Sequence, residues 1–346
     1  MSGRDDSTER SPLKVVVTGA TGFIGTPIVR LLAARGDRVI ALVRDVDKAR
    51  GKLGELERPA GSVGRGGVEL VAADLETQGP WCDKLAGAAA ILHLAGESVA
   101  GKKWDARQKQ IIRDSRVEST RTIVEAINRL DPTERPRALV NASGIDYYPF
   151  AYDETDFDDD EVTESDAPGD TFLARVCRDW EHEANEAAKL EVVATDTVGT
   201  THQKVRVVCM RTGLVLGPGG GALPQLARPF KLFAGGRVGD GRQWMSWIHL
   251  ADVVGAYVIA IDDERYRGPI NLVTASIRNY DFARELGHAM SRPSWIPVPR
   301  FAVRIAAGKE FSESVLKGRR VMPTKLRELG FPWQYPTLDR ALAAAL

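Results

Sequence analysis

The stretch Lys14-Val-Val-Val-Thr-Gly-Ala-Thr-Gly-Phe-Ile-Gly25 predicts the fold of this chain. It opens with β-branched residues, a run typical of a buried parallel strand. Three glycines follow at intervals of three, at Gly19, Gly22 and Gly25, and an apolar pattern with helical spacing begins at Phe23. A strand, a glycine turn and a helix in this order form the first half of a dinucleotide-binding unit.

The glycine turn predicts where a cofactor binds. One glycine allows the tight turn, one lets the backbone approach a pyrophosphate, and one lets the helix pack closely on the strand. The helix start offers free N–H groups and a partial positive charge to the phosphates. A second β-branched run, Arg38–Val43, follows at the right distance, which favours this interpretation over an ordinary glycine-rich turn. We therefore expect the cofactor to contact Gly19, Ala20, Thr21, Gly22, Phe23, Ile24 and Gly25.

Composition is that of an ordinary soluble globular protein. The 346 residues are 43% hydrophobic and 27% charged, enough for one large domain or two coupled ones. Lys+Arg and Asp+Glu both number 47, and this balance argues against nucleic acid or a membrane surface as an obligate partner. Cys82, Cys177 and Cys209 form neither a metal pattern nor a disulfide framework, so we expect a cytoplasmic protein. Residues 1–12 are predicted to be a disordered lead-in without a signal peptide.

Charged residues follow the second and third predicted strands. Arg44 comes directly after the second strand, where an acid binds the 2′-hydroxyl of NAD and an arginine accommodates the 2′-phosphate of NADP. Because the first acid, Asp45, stands one residue later, we predict NADP, the alternative being a solvated surface arginine. Asp74 and Leu75 follow the third strand, residues 68–72, where the acid either faces the adenine amino group or caps the next turn.

Small and hydroxyl-bearing residues end the next two predicted strands. The fourth strand, residues 88–94, contains His93, which we interpret as a hydrogen-bonded core histidine. The fifth strand, residues 138–142, leads into Ser143 at the carboxyl edge, where the cleft of this fold runs. We expect Ser143 to hold a substrate oxygen. Further cofactor contacts are predicted at Leu94, Ala95, Gly96, Glu97 and Ala142.

The remaining pattern predicts an α/β fold: a Rossmann, doubly wound parallel sheet with a smaller, mostly helical C-terminal domain. We expect a loop over residues 51–67, helices over 108–128 and 172–188, a surface excursion over 191–203, and a sixth strand over 204–210. The acidic residues 153–166 are interpreted as a solvated, mobile loop, since they lack the glycine of an EF-hand. A glycine-rich shift after Gly217 divides an NADP-binding domain, 13–217, from a substrate-binding and C-terminal domain, 218–346, with 246–275 returning to the first.

These motifs resemble a known family. Thr18–Gly25 resembles the opening of extended short-chain dehydrogenase/reductases of the nucleoside-diphosphate-sugar epimerase group. Six further segments resemble an atypical epimerase-like branch with its own C-terminal domain of unknown function: Leu92–Glu97, Trp104–Thr120, Phe172–Glu181, Arg211–Gly217, Gly241–His249 and the ending Gly330–Pro336 with Ala341-Leu342. The resemblance covers residues 13 to 346. It implies NADP at the glycine loop and a substrate cleft closed by the C-terminal part.

The chain also departs from that family. Typical members carry a Tyr-x-x-x-Lys pair after strand five, in which the lysine lowers the tyrosine pKa. Here Leu173 and Cys177 stand at those positions. The usual asparagine of the long helix is replaced by Arg116, which we expect to contact the cofactor. Tyr147 and Tyr148 become the candidate proton donors, with Glu97 as a weaker one.

Three functions remain open from the sequence. The first is an NADP-dependent oxidoreductase or epimerase-like enzyme acting on a sugar nucleotide or related carbonyl compound. The second is a reductase of a small uncharged carbonyl compound, and the third is a non-catalytic NADP-binding regulatory protein. Arg237 and Arg242 are either contacts for an anionic substrate or solvated loop residues.

Overall fold

The computed structural model describes residues 11–58, 66–100, 102–150, 159–195, 199–308, 312–313 and 316–346. Its strands are β1 (Lys14–Thr18), β2 (Arg38–Val43), β3 (Gly67–Ala72), β4 (Ala90–His93), β5 (Ala138–Gly144), β6 (Glu161–Val162), β7 (Glu191–Thr195), β8 (Thr200–Lys204), β9 (Arg206–Thr212), β10 (Leu214–Leu216), β11 (Trp244–His249), β12 (Gly268–Leu272), β13 (Ala275–Arg278) and β14 (Arg320–Val321). Its α-helices are α1 (Gly25–Ala34), α2 (Val46–Leu53), α3 (Ala106–Asp114), α4 (Val117–Arg129), α5 (Phe172–Glu186), α6 (Leu223–Lys231), α7 (Leu250–Asp262), α8 (Asn279–Met290), α9 (Arg300–Ala307), α10 (Thr324–Glu328) and α11 (Leu338–Ala345).

Seven parallel strands form the central sheet, in the order β12–β9–β5–β4–β1–β2–β3. Strand β1 pairs with β2 on one side and with β4 on the other, so the strand order reverses at β1. In open α/β sheets a ligand crevice lies at the carboxyl ends of the strands at this reversal. The predicted Rossmann fold is confirmed, and its crevice lies beside the glycine turn.

Alternate residues of β1 face the two layers of helices. Val15 and Val17 are buried in one apolar cluster with Ile28 of α1 and Val253 of α7. Val16 is buried in the opposite cluster with Ile123 of α4. A strand buried on both faces needs apolar residues at every position, which explains the continuous β-branched run.

The structure corrects several predicted elements. The single helix expected over 108–128 is two helices, α3 and α4, separated at Ser115–Arg116. The loop expected over 51–67 begins with the end of α2 and a 3-10 turn, Gly54–Leu56. The excursion over 191–203 contains an antiparallel pair of strands, β7 and β8. Their backbone groups hydrogen-bond to each other, and β-branched residues suit such a pair.

The C-terminal part contains helices and a small sheet, in which β11 pairs with β10 and β13. Strand β12 returns to the edge of the central sheet beside β9. Residues 1–10 of the expected lead-in and 151–158 of the acidic stretch lie outside the described residues. Glu164 of that stretch is 6% exposed, so the solvated-loop prediction is wrong there. No helix in the described segments has the length and apolar character needed to span a membrane.

Candidate functional site

A cavity of about 280 Å³ lies at the carboxyl ends of β1, β2, β3 and β4. It brings together residues from four separate predicted motifs: the glycine turn, the end of β2, the turn after β3 and the end of β4. The predicted cofactor contacts that line it are Gly19, Ala20, Thr21, Gly22, Arg44, Asp74, Leu75, Leu94, Ala95, Gly96 and Glu97.

The glycine turn packs too closely for larger residues. Gly19 has a φ of +64°, and a Cβ there would lie 2.7 Å from the carbonyl carbon of Leu94. A Cβ on Gly25 would lie 2.1 Å from the carbonyl oxygen of Gly19, which confirms a glycine that lets α1 approach the strand. Gly22 donates its N–H to the Gly19 carbonyl at 2.9 Å, which closes the turn. The turn therefore presents bare backbone to the cavity.

The start of α1 is open to an anion. Ile24 begins the helix with no side-chain hydrogen bond to the first N–H groups, and no acidic residue lies in the first turn. The Thr26 N–H already donates to the Gly22 carbonyl at 3.0 Å and Pro27 has no N–H, so it is the helix dipole that favours negative charge at this end. The adjoining cavity can thus accept a phosphate at the glycine turn.

Arg44 and Asp45 have different partners at the end of β2. Arg44 is exposed and lines the cavity. The Asp45 carboxylate begins α2 instead, accepting the Lys48 N–H at 3.0 Å, and this hydrogen bond lowers its pKa. Because Asp45 caps α2, the charged group from the end of β2 that lines the cavity is the Arg44 guanidinium.

Five predicted cofactor contacts lie outside the cavity lining: Phe23, Ile24, Gly25, Arg116 and Ala142. The Phe23 ring packs under the Gly220–Gly221 backbone, where a Cβ at Gly220 would lie 2.5 Å from it. Phe23 thereby joins the glycine turn to the C-terminal part. Ile24 packs against the apolar cluster of β1. The cofactor contacts expected at these five residues remain predictions.

His93 lies in a buried hydrogen-bonded chain behind the cavity, as predicted for a core histidine. Thr18 Oγ1 accepts the N–H groups of Leu94 and Ala95, both at 3.1 Å, and lies 2.7 Å from His93 Nδ1. His93 Nε2 lies 3.2 Å from Ser119 Oγ. Since the Thr18 proton goes to Nδ1, the proton of His93 is on Nε2. Burial lowers the His93 pKa to about 3, so the ring is neutral and orients the backbone at Leu94.

Cavity-lining residues that the sequence did not single out come from the break between α3 and α4. Ile111, Ser115 and Ser119 all face the cavity. Ser115 Oγ accepts the Glu97 N–H at 2.9 Å and so fixes the end of the β4 loop. Ser115 and Ser119 are four residues apart, a spacing that places two hydroxyls on one face of a helix, and this was the available signal.

Ser143 belongs to a buried polar cluster at the end of β5. Its hydroxyl donates to Glu181 Oε1 at 2.7 Å. Arg211 donates two hydrogen bonds to the same carboxylate, both at 2.8 Å. Ser143 and Arg211 are register partners on β5 and β9, so the sheet brings them together. Ser143 is 7% exposed, and whether it holds a substrate oxygen remains a prediction.

The two adjacent tyrosines have different environments. Tyr148 is fully buried; its hydroxyl donates to Asn271 Oδ1 at 2.7 Å and accepts from Arg211 at 2.9 Å. Burial raises the Tyr148 pKa to about 12, and because its hydroxyl is enclosed and already bonded to Asn271 and Arg211, the structure argues against this predicted proton donor. Tyr147 is half-buried, and its ring centroid lies 3.4 Å from the Arg211 guanidinium carbon. Burial also raises the Tyr147 pKa, which keeps its phenol protonated at neutral pH.

The other candidate acids are also constrained. Glu97 Oε1 lies 2.7 Å from Lys102 Nζ, and this ion pair lowers the Glu97 pKa, so its carboxylate is a poor proton donor. Cys177 is buried, and burial raises its pKa to about 12. Its thiol is therefore neutral, in agreement with the prediction that Cys177 serves packing.

Comparison with known proteins shows the family. Residues 15–272 match the NAD dependent epimerase/dehydratase family. The chain belongs to this family. Residues 298–345 also match a domain of unknown function, DUF1731, so the predicted resemblance to an epimerase-like branch with such a domain is confirmed.

Relatives in the epimerase/dehydratase family match nearly the whole chain. The epimerase family protein SDR39U1 homolog, chloroplastic, of Arabidopsis thaliana is 35% identical over 98% of this chain and 88% of its own length. The human epimerase family protein SDR39U1 is 32% identical over 95% and 98%. A crystal structure of the human protein (isoform2) with NADPH has a TM-score of 0.73 and 28% identity, covering 96% of this chain and 99% of that one.

Proposed function

We propose that this protein is an NADPH-dependent oxidoreductase or epimerase-like enzyme that acts on a sugar nucleotide or related carbonyl compound. The observation that carries the proposal is one cavity that is lined both by the Gly19–Gly22 turn, which leads into α1, and by Arg44 in place of an acid. A family relative crystallised with NADPH supports the same cofactor. NADPH supplies hydride transfer when bound.

The residues present fit that cofactor. The bare backbone of Gly19 and Gly22 and the start of α1 suit the pyrophosphate. Arg44 suits the 2′-phosphate through a charge-assisted contact, and Asp74 stands where the adenine amino group is expected. The buried Thr18–His93–Ser119 chain holds the backbone of Leu94 and Ala95 in place beside the cavity.

Tyr147 is the proposed proton donor. It is half-buried, and its ring lies against Arg211, which also binds the Glu181 carboxylate that Ser143 contacts. Ser143 is proposed to orient the substrate oxygen, since an aliphatic hydroxyl is a weak acid. Tyr147 would then hold the proton at its phenolic oxygen. The contacts of Arg237 and Arg242 with an anionic substrate remain part of this proposal.

The regulatory function has one specific observation in its favour. Leu173 is buried and Cys177 is a neutral buried thiol, so neither of the two positions that form the proton-exchange pair in typical relatives can exchange a proton near neutral pH here. The enzyme would turn over a substrate and the regulatory protein would not, whereas both would bind NADPH.

Calorimetric titration with NADPH and NADH tests the cofactor assignment first. We expect tighter binding of NADPH, and loss of binding in Gly22→Val, because a side chain at that turn obstructs the pyrophosphate approach. Gly51→Val is the matched control, since a Cβ there meets nothing within 4 Å. Equal affinity for NADPH and NADH would contradict the assignment. Oxidation of NADPH by a panel of aldehydes, ketones and sugar nucleotides then separates an enzyme from a regulatory protein.

A further inference from the structure

Arg116 lies at the break between α3 and α4 and reaches the back of the cavity wall. Ser115 ends α3, and Arg116 begins α4 with φ of −112° and ψ of −60°. The guanidinium packs on the backbone of Gly96, where a Cβ would stand 3.1 Å from its central carbon. Since Gly96 lines the cavity, the missing side chain at Gly96 is what lets the cation approach.

The Arg116 cation has no ion-pair partner within the described part of the chain. One of its terminal nitrogens donates to the Ile112 carbonyl at 3.0 Å, and its central carbon lies 5.3 Å from the Trp180 ring centroid. Burial lowers the Arg116 pKa, while arginine stays protonated in proteins. A desolvated charge is costly unless it is paired. Arg211, by contrast, is fully paired with Glu181.

Arg116 also affects Cys177, the residue at the position where typical relatives carry the lysine. Arg116 acts electrostatically on Cys177, opposing the burial that raises the thiol's pKa. Cys177 occupies the lysine position of the Tyr-x-x-x-Lys pair in typical relatives. A cation from the start of α4 therefore acts on that position, and the same cation packs on Gly96 and lies 5.3 Å from the ring centroid of Trp180 on α5.

We propose that Arg116 binds the nicotinamide half of NADPH and thereby replaces the missing lysine as the cation of that half of the site. The inference rests on the proposed function, because it requires NADPH in the cavity. Arginine presents five N–H donors in a planar fork, and the hydroxyls and carboxamide oxygen of nicotinamide riboside are acceptors for such donors. Arg44 is the cation proposed for the adenosine half.

Two ligands that share only the adenosine half test the proposal. NADPH contains both halves, whereas adenosine 2′,5′-bisphosphate contains the 2′-phosphate and no nicotinamide. Calorimetry with both ligands is carried out on the wild type, Arg116→Met and Arg113→Met. Arg113 is the matched control, because it lies three residues earlier and forms exposed ion pairs with Asp114 and Glu118.

We expect Arg116→Met to weaken NADPH about tenfold or more and to leave the affinity for the bisphosphate unchanged. Arg113→Met should change neither. Equal weakening of both ligands would show a structural role for Arg116, and unchanged NADPH affinity would show no role; either result overturns the inference. Failure of the wild type to bind NADPH would instead overturn the proposed function.

A second variant, Arg116→Lys, tests the inference if Arg116→Met does not fold. Arg116→Lys keeps the charge and the apolar stem but loses the planar fork. In this variant we expect NADPH to bind more weakly while the bisphosphate binds as in the wild type. A parallel loss for both ligands, or no loss for either, would overturn the inference. Circular dichroism of each variant checks the fold.

Discussion

Single residues decide which cofactor the cavity suits. Arg44 and Asp45 are neighbours at the end of β2, and either could have faced a ribose. The Asp45 carboxylate accepts the Lys48 N–H at 3.0 Å and so begins α2. Its position as a helix cap leaves Arg44 as the charged group in the cavity lining. This capping hydrogen bond is consistent with the proposed contact of Arg44 with the 2′-phosphate of NADPH.

Arg44→Ala should narrow the preference for NADPH over NADH. A hydrogen bond to a charged group contributes about 1.5–3 kcal/mol, which corresponds to roughly a tenfold change or more in relative affinity. Calorimetric dissociation constants for both cofactors provide the measurement. Lys48→Ala removes an exposed cation four residues later and should leave the preference intact. A preference unchanged in Arg44→Ala would exclude a contact with the 2′-phosphate.

Tyr147→Phe should lower turnover once a substrate is known. A positioned acid contributes about 10²–10⁴-fold, so kcat should fall by that order while NADPH affinity stays constant. Cys177→Ser should change kcat little, because the Cys177 thiol is buried and its pKa is raised to about 12. The reverse pattern, with activity lost only in Cys177→Ser, would identify the thiol as the reactive group.

At the scale of secondary-structure elements, a buried ion pair joins α5 to the central sheet. Glu181 of α5 accepts two hydrogen bonds from Arg211 of β9 and one from Ser143 of β5. Both charged side chains are almost completely buried, at 3% and 8% exposure. The same Arg211 lies against the Tyr147 ring. The pair therefore fixes the elements around the proposed proton donor.

Glu181→Gln should destabilise the protein strongly. Removing one partner of a buried ion pair typically costs about 3–5 kcal/mol, because the remaining charge stays desolvated. Asp47→Asn breaks an exposed, solvent-screened pair with Arg50 and should change the free energy of unfolding little. Urea denaturation of both variants measures the free energy of unfolding. Similar small losses in the two variants would mean that water reaches Arg211 when Glu181 is neutralised.

At the scale of the whole molecule, the C-terminal segment is anchored to the start of α7. The Asp252 carboxylate is fully buried and accepts the N–H groups of Gln334 at 2.7 Å and Tyr335 at 3.2 Å. The Tyr335 ring stacks on His249, with ring centroids 3.7 Å apart. Helix α11 then packs against α8 in the apolar cluster of the C-terminal part. Helix α7 also packs on β1, so it connects both parts of the chain.

Asp252→Ala should loosen the C-terminal segment without unfolding the central sheet. Two buried N–H groups would lose their acceptor, and each unsatisfied group costs about 1–3 kcal/mol. We expect faster amide hydrogen exchange at Gln334 and Tyr335, with β1 and β4 unchanged. Asp339→Ala, an exposed acid at the start of α11, serves as the control. Unchanged exchange at residues 334–335 would show that ring packing alone holds the segment.

The local pattern of the sequence determined the fold and most of the cofactor cavity. The β-branched run, the glycine spacing and the following helix are contiguous, and their geometry depends on backbone sterics and burial at neighbouring positions. For the same reason β2 was predicted with its observed bounds, Arg38–Val43. Arg44 and Asp74 could be placed in the cavity because parallel strands end at one edge of the sheet.

Only the tertiary structure decided the features that depend on distant residues. Apolar residues recur at helical spacing through 108–128, so the sequence pattern does not indicate the break at Ser115–Arg116. In the structure, Arg116 at this break packs on the Gly96 backbone. Tyr147 and Tyr148 are adjacent and chemically identical, yet only Tyr148 is fully buried against Asn271. Their difference arises from partners more than sixty residues away in sequence. Outside regular apolar runs such as β1, the burial of one side chain is set by how whole elements pack, and two adjacent identical residues give no local sign of it.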